Sequence, residues 1–138
     1  MREAGAAHGF LMGSQFSLWQ VQIGDDKEMY ADVFKTEYAI TTSEGDCKWH
    51  WIRPNQNEWR LDRCAETFKF AADNDIKFRG HNLCWGVFNP PWLANFSGSA
   101  QQLDEILKEH ITKVMQEVPK MAGVKDKILA WDVVNEAV

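Results

Sequence analysis

Hydrophobic positions along this chain follow two rhythms. Short apolar runs bounded by glycine or polar residues occur at 9–13 (Gly9, Phe10, Leu11, Met12, Gly13), 39–42, 76–81 and 128–136. Runs of this length and composition predict strands. Between them, apolar residues recur every three or four positions, as on one face of a helix. The first such stripe is Met29, Tyr30, Val33, Phe34 and Tyr38; the second is Leu61, Cys64, Ala65, Phe68, Ala71 and Ala72; the third is Leu103, Ile106, Leu107, His110, Ile111, Val114, Met115 and Val118. Asp25 or Asp26 suits the N-cap of the first helix and Asp62 that of the second. Asp104 and Glu105 favour the positive N-terminal end of the third, and Pro119 stops it. Residues 1–8 look like the end of a small helix. The polar and aromatic stretch 43–51 reads as a strand-end loop, 54–57 as a turn, and 82–92 as a long loop held by Pro90 and Pro91.

Strand and helix patterns thus alternate four times. That order requires right-handed crossovers and a parallel sheet, hence an α/β fold. The run from Ile128 to Val134 is apolar without a break, which suits a strand buried on both faces. No linker, internal repeat or low-complexity segment interrupts the chain.

The chain has 138 residues and a net charge of −5, so nucleic acid is an unsuitable partner. No run is long and apolar enough to cross a membrane, and the residues after Met1 are not those of a signal peptide. The chain is therefore intracellular, or its natural start differs. The three cysteines, Cys47, Cys64 and Cys84, are odd in number and lack paired metal-type spacing, which predicts buried free thiols. Seven tryptophans are unusual at this length; most are expected in the core, although an exposed indole can stack on a sugar ring. His110, on an apolar stripe, is expected to be a packed structural histidine.

In a parallel sheet the carboxyl ends of the strands share one face. Glu44 and Lys48 follow the second strand, His81 and Trp85 the third, and Asn135 and Glu136 the fourth. A carboxylate, an ammonium, an imidazole, an indole and an amide around one cleft suit a neutral, hydroxyl-rich ligand. Glu136 can act as a general acid if apolar surroundings or a second carboxylate hold its proton. Asn135 can donate to a substrate hydroxyl. The competing reading is ordinary: Glu44 and Lys48 as a surface i,i+4 pair, His81, Trp85 and Trp92 as core, and Asn135 and Glu136 as the start of a solvated helix.

Three motifs give these residues a family. Trp131-Asp132-Val133-Val134-Asn135-Glu136, Arg79-Gly80-His81-Asn82-Leu83-Cys84-Trp85 followed by Pro90 and Trp92, and Thr42-Ser43-Glu44-Gly45-Asp46-Cys47-Lys48-Trp49 resemble motifs of glycoside hydrolase family ten, the endo-β-1,4-xylanases. The resemblance runs from about Glu3 onward. It implies a (β/α)₈ TIM barrel, here about its first four βα units, with residues 1–138 as the N-terminal part of one barrel domain. It implies retaining hydrolysis of β-1,4-xylosidic bonds in xylan, without metal or organic cofactor, and secretion. Glu136 would be the acid/base and Asn135 would bind the sugar beside the scissile bond. Glu44, Lys48, His81 and Trp85 would line the glycone subsites. The family usually has Asn at Gly45, His at Gly86 and Gln at Phe88, positions that bear on affinity and glycone specificity.

A retaining glycosidase also needs a second carboxylate about 5–5.5 Å from the first. No residue here matches the family's nucleophile motif, which lies on a later strand, and a full barrel needs roughly 250 residues. The expectation is a xylanase fragment that is nearly inactive alone; the alternatives are a non-catalytic carbohydrate-binding remnant of the same barrel and an unrelated α/β domain. The first and fourth strands would be open sheet edges, which predicts self-association or a molten chain.

Overall fold

The computed structural model describes every residue except Ala122 and Val138. Its centre is a four-stranded, all-parallel sheet in the order β1-β2-β3-β5. In chain order the elements are α1 (Arg2–Ala6), β1 (Gly13–Phe16), α2 (Leu18–Ile23), α3 (Lys27–Glu37), β2 (Ile40–Ser43), α4 (Trp49–Ile52), α5 (Asp62–Asp73), β3 (Lys77–Gly80), β4 (Cys84–Trp85), α6 (Pro91–Ala94), α7 (Ala100–Glu117), β5 (Ile128–Trp131) and β6 (Val134–Asn135). The expected alternation is present. A second, two-stranded parallel pairing joins β4 to β6, with Cys84 opposite Val134 and Trp85 opposite Asn135.

The core lies between the sheet and its helices. Phe68 and Ala71 of α5 pack with Phe78 of β3, Ile76, and Val114 of α7. A smaller aromatic cluster packs Phe16 of β1 against Phe34 of α3, with Tyr30, Tyr38 and Phe70 around it. Close approach of backbone to side chain occurs at Gly80, where a Cβ would lie 2.2 Å from the Trp131 ring. Glycine lets β3 and β5 pack at the point where both strands reach the cleft.

Five expectations are corrected. The first strand is not 9–13: pairing with β2 starts at Gly13, and Phe10, Leu11 and Met12 are exposed. Gly9 turns the chain out of α1 with φ 75°, and a glycine is needed again at Gly13, whose Cβ would meet the Ile40 carbonyl at 2.3 Å. Asp62 is the first residue of α5, not its N-cap, and acts there through the helix dipole. The loop at 43–51 contains the start of the short helix α4.

The apolar run at 128–136 is not one strand buried on both faces. It is β5, a break at Asp132, then β6, and Leu129, Val133 and Val134 are each more than half exposed. The reason is that, among the described residues, β5 pairs on one side only, with β3. Ile128 and Trp131 turn toward the core while Leu129 does not.

The thiol expectation is corrected as well. Cys47 and Cys64 form a disulfide, tying the loop after β2 to helix α5, and Cys84 alone is free. His110, by contrast, is a packed core residue as expected. It is fully buried and stacks at 3.7 Å on Trp49, with Trp59 at 5.8 Å. Burial, helped by the nearby Arg53 charge, pushes its imidazole down to about 3, so the ring is neutral.

Candidate active site

The strand ends deliver the expected residues to one end of the sheet. Gln15, Thr42, Ser43, Glu44, Lys48, Arg79, His81, Asp132 and Asn135 line a single cleft of about 300 Å³. Trp85 and Glu136 sit at its margin: the Trp85 indole N–H donates to the Glu136 carboxylate at 2.8 Å. The β4–β6 pairing sets this contact, because it places Trp85 opposite Asn135, the residue before Glu136. Glu136 takes a left-handed φ of 51°, uncommon for a side-chain-bearing residue; such conformations cluster at functional sites.

Lys48 lies at the centre of the other wall. Its ammonium is 4.9 Å from the Trp85 ring centroid and 5.0 Å from that of Phe88, a cation–π arrangement on both sides. Burial lowers its pKa; the Glu44 and Glu136 carboxylates pull the other way and do not fully offset it. Among the described residues Lys48 makes no ion pair with Glu44, so the two are not the plain surface pair that i,i+4 spacing suggests. The loop carrying Lys48 is fastened twice just before it. The Cys47–Cys64 bridge adjoins it, and Arg63 Nε donates to Asp46 Oδ1 at 2.8 Å.

His81 is oriented by a residue the motif reading left without a role. Asp132 takes His81 Nδ1 at 2.9 Å on one oxygen and Arg79 Nε at 2.8 Å on the other. Burial raises the Asp132 carboxyl, but the hydrogen bonds from Arg79 and His81 outweigh it and hold the group below its ordinary range. Backbone bonds lock the same corner: Asp132 N–H to the Gly80 carbonyl at 2.9 Å, and Leu83 N–H to the Asp132 carbonyl at 3.0 Å. The signal for Asp132 was available, since an aspartate inside an otherwise apolar run needs a polar partner. The His81–Asn82 peptide is cis.

The placements divide cleanly. Glu44, Lys48, His81 and Asn135 share the cleft, and Trp85 and Glu136 join it through their hydrogen bond. Glu136 is exposed rather than set among apolar side chains. Among the described residues no cluster of His, Cys, Asp and Glu is arranged to hold a metal ion.

A match to Glycosyl hydrolase family 10 covers residues 1–138. The chain belongs to that family. Among family 10 relatives, endo-1,4-beta-xylanase B of Thermotoga neapolitana is 33% identical over 130 residues, 94% of this chain and 34% of that protein. The beta-1,4-xylanase of Dictyoglomus thermophilum is 34% identical over 78% of this chain and 28% of its own length. Among solved structures, xylanase 10B from Thermotoga petrophila RKU-1 in complex with xylobiose superposes with a TM-score of 0.89 at 27% identity, covering 99% of this chain and 40% of that one. Native xylanase 10B from Thermotoga maritima gives the same TM-score at 28% identity. The chain thus spans between 28% and 40% of the length of these relatives, and its fold is part of a family 10 (β/α)₈ barrel.

Proposed function

We propose that this chain supplies the acid/base wall and glycone side of a retaining endo-1,4-β-xylanase. Glu136 protonates the departing glycosidic oxygen. Asn135 donates to the hydroxyl of the sugar beside the scissile bond. Glu44, Lys48 and His81 hydrogen-bond the glycone sugars, and Trp85 offers its ring face. The observation that carries this reading is the Trp85–Glu136 hydrogen bond at the lip of the cleft lined by Glu44, Lys48 and His81. It puts a carboxylate, an aromatic face and sugar-facing polar groups within one reach.

The mechanism needs a second carboxylate for attack at the anomeric carbon. Asp132 is a poor candidate: both its oxygens are taken by Arg79 and His81 and its negative charge is already stabilised. A group from the remaining part of the barrel fills that role in our reading. This favours, for the 138 residues alone, a sugar-binding surface without turnover. The disulfide fits the secreted setting inferred from the family, since such bridges persist in oxidising compartments. Among the described residues no helix is long and apolar enough to cross a membrane.

The test is direct. The chain should bind xylo-oligosaccharides in calorimetry and release no reducing sugar from xylan, and Lys48→Met should weaken binding while melting stays cooperative. Release of reducing sugar that vanishes in Glu136→Gln would show that the nucleophile is already present. Absence of binding by a folded chain would remove the sugar-cleft reading.

A further inference from the structure

A second cluster of chemistry-bearing side chains lies outside the cleft lining, centred on Arg53. Arg53 is 2% exposed, a rare place for a charged group. Its guanidinium carbon lies 4.6 Å from the Trp59 ring centroid and 5.1 Å from that of Trp92. Trp92 meets Trp49 edge to face at 6.5 Å, Trp49 stacks on His110, and His110 stacks in turn on Trp59. Five planar groups therefore close a ring. The His110 imidazole is neutral, so it adds no repulsion to the buried cation.

Hydrogen bonds tie Arg53 to three other segments. Its Nε and Nη2 both donate to the Gln56 carbonyl, at 2.9 and 2.7 Å, and Nη2 also reaches the Glu109 carboxylate on α7. The Arg53 carbonyl accepts from the Trp92 indole N–H at 3.0 Å. Trp92 belongs to α6, at the end of the segment that leaves Trp85 and carries Phe88. Buried bonds from a charged donor are directional and costly to lose. Apolar packing of the same volume would fill the space without fixing an orientation. What the bonds fix is α4: Lys48 is its N-cap and Arg53 its C-cap, with four residues between them. A helix of four residues is not stable by itself in water. The direction in which Lys48 leaves it therefore depends on what grips the far end. Arg53 grips that end and, through Trp92, the segment that carries Phe88.

We propose that Arg53 is a positioning residue: it locks α4 to the 86–92 segment, so that the Lys48 ammonium is held between the Trp85 and Phe88 rings at the cleft. Arg53 is not among the residues that line the cleft, and it acts through Lys48. Its effect on sugar binding rests on the sugar-cleft reading above. Its hold on Lys48 does not.

Two readouts on the 138-residue chain test this. The first needs no sugar. The Lys48 ε-methylene protons, flanked by two aromatic rings, resonate away from the ordinary lysine position in NMR spectra. Arg53→Lys keeps the charge but loses the planar fork, and should return them toward that position. The second is calorimetry with xylotriose in a double-mutant cycle with Lys48→Met. Arg53→Lys should lower affinity about tenfold in the parent and leave it unchanged in the Lys48→Met background. Trp92→Phe keeps a ring against the guanidinium and removes the bond to the Arg53 carbonyl. It should act in the same direction in both readouts, and it decides the matter if Arg53→Lys does not melt cooperatively. Unmoved Lys48 resonances in a folded variant overturn the proposal. So does an equal loss of affinity in both backgrounds, the mark of a merely structural residue. Moved resonances in a chain whose parent binds no sugar uphold the positioning role and remove the sugar-cleft reading alone.

Discussion

At the scale of single residues, a few charged and buried groups govern how this chain behaves. His110 is the clearest case. Its folded pKa, about 3, lies below the ordinary 6.5 because burial disfavours the imidazolium. The unfolded chain therefore takes up the proton first as pH falls. The stabilisation is complete above about pH 6.5 and is lost progressively toward pH 3, with a ceiling of about 4–5 kcal/mol. His110→Phe keeps a ring between Trp49 and Trp59 and removes the titration. Urea unfolding across pH 3.5–7 should then show a flatter stability profile for the variant than for the parent, and parallel profiles would sink the assignment. Asp132 illustrates the opposite kind of legibility. Its position in an apolar run marks it as a residue in need of a partner, but the partners Arg79 and His81 are over fifty residues away in sequence. Only the β3–β5 pairing brings them together. Cys47 and Cys64 were misread for a related reason: an odd count with no regular spacing carries no information about which pair the fold brings to bonding distance.

At the scale of elements, legibility follows periodicity. Helix α7 was plain because eight positions obey one stripe over five turns, and the structure buries Ile106, His110, Val114 and Val118 from it. Its start is less plain. Ser99 accepts from the Gln102 N–H, and the Gln102 side chain accepts from the Ser99 N–H, a complete capping box ahead of Asp104 and Glu105, the residues whose charge marks the helix start in the sequence. Ser99→Ala should cost about 1 kcal/mol, read as a fall in melting temperature of roughly 4 °C; an unchanged midpoint would mean the box contributes nothing in water. The strands were legible as apolar runs, but not in their limits or burial. An apolar run states that a segment belongs against other apolar groups, and nothing about which of its two flanks is already paired. That is why β5 and β6 were expected as one fully buried strand and appear instead as an edge strand, β5, and a separate strand, β6, paired with β4, with Leu129, Val133 and Val134 exposed.

At the scale of the whole molecule, β1 and β5 are the outer strands of the sheet and neither pairs further among the described residues, and apolar side chains stand exposed near each: Phe10 and Leu11 before β1, and Leu129 on β5. Unpaired edges of this kind recruit other strands. We expect the 138-residue chain to self-associate, so that sedimentation equilibrium gives an average mass that rises with concentration. A single monomeric species with one sharp thermal transition at all concentrations would contradict that expectation. The family and the parallel α/β architecture were legible throughout, because the three site motifs lie at strand ends and strand ends are where this architecture gathers its chemistry.

The Cys47–Cys64 bridge lies one residue from Lys48, the lysine of the cleft. In the sugar-cleft reading, reduction of the bridge should weaken carbohydrate affinity before the melting midpoint falls, and calorimetry with and without reductant measures the difference.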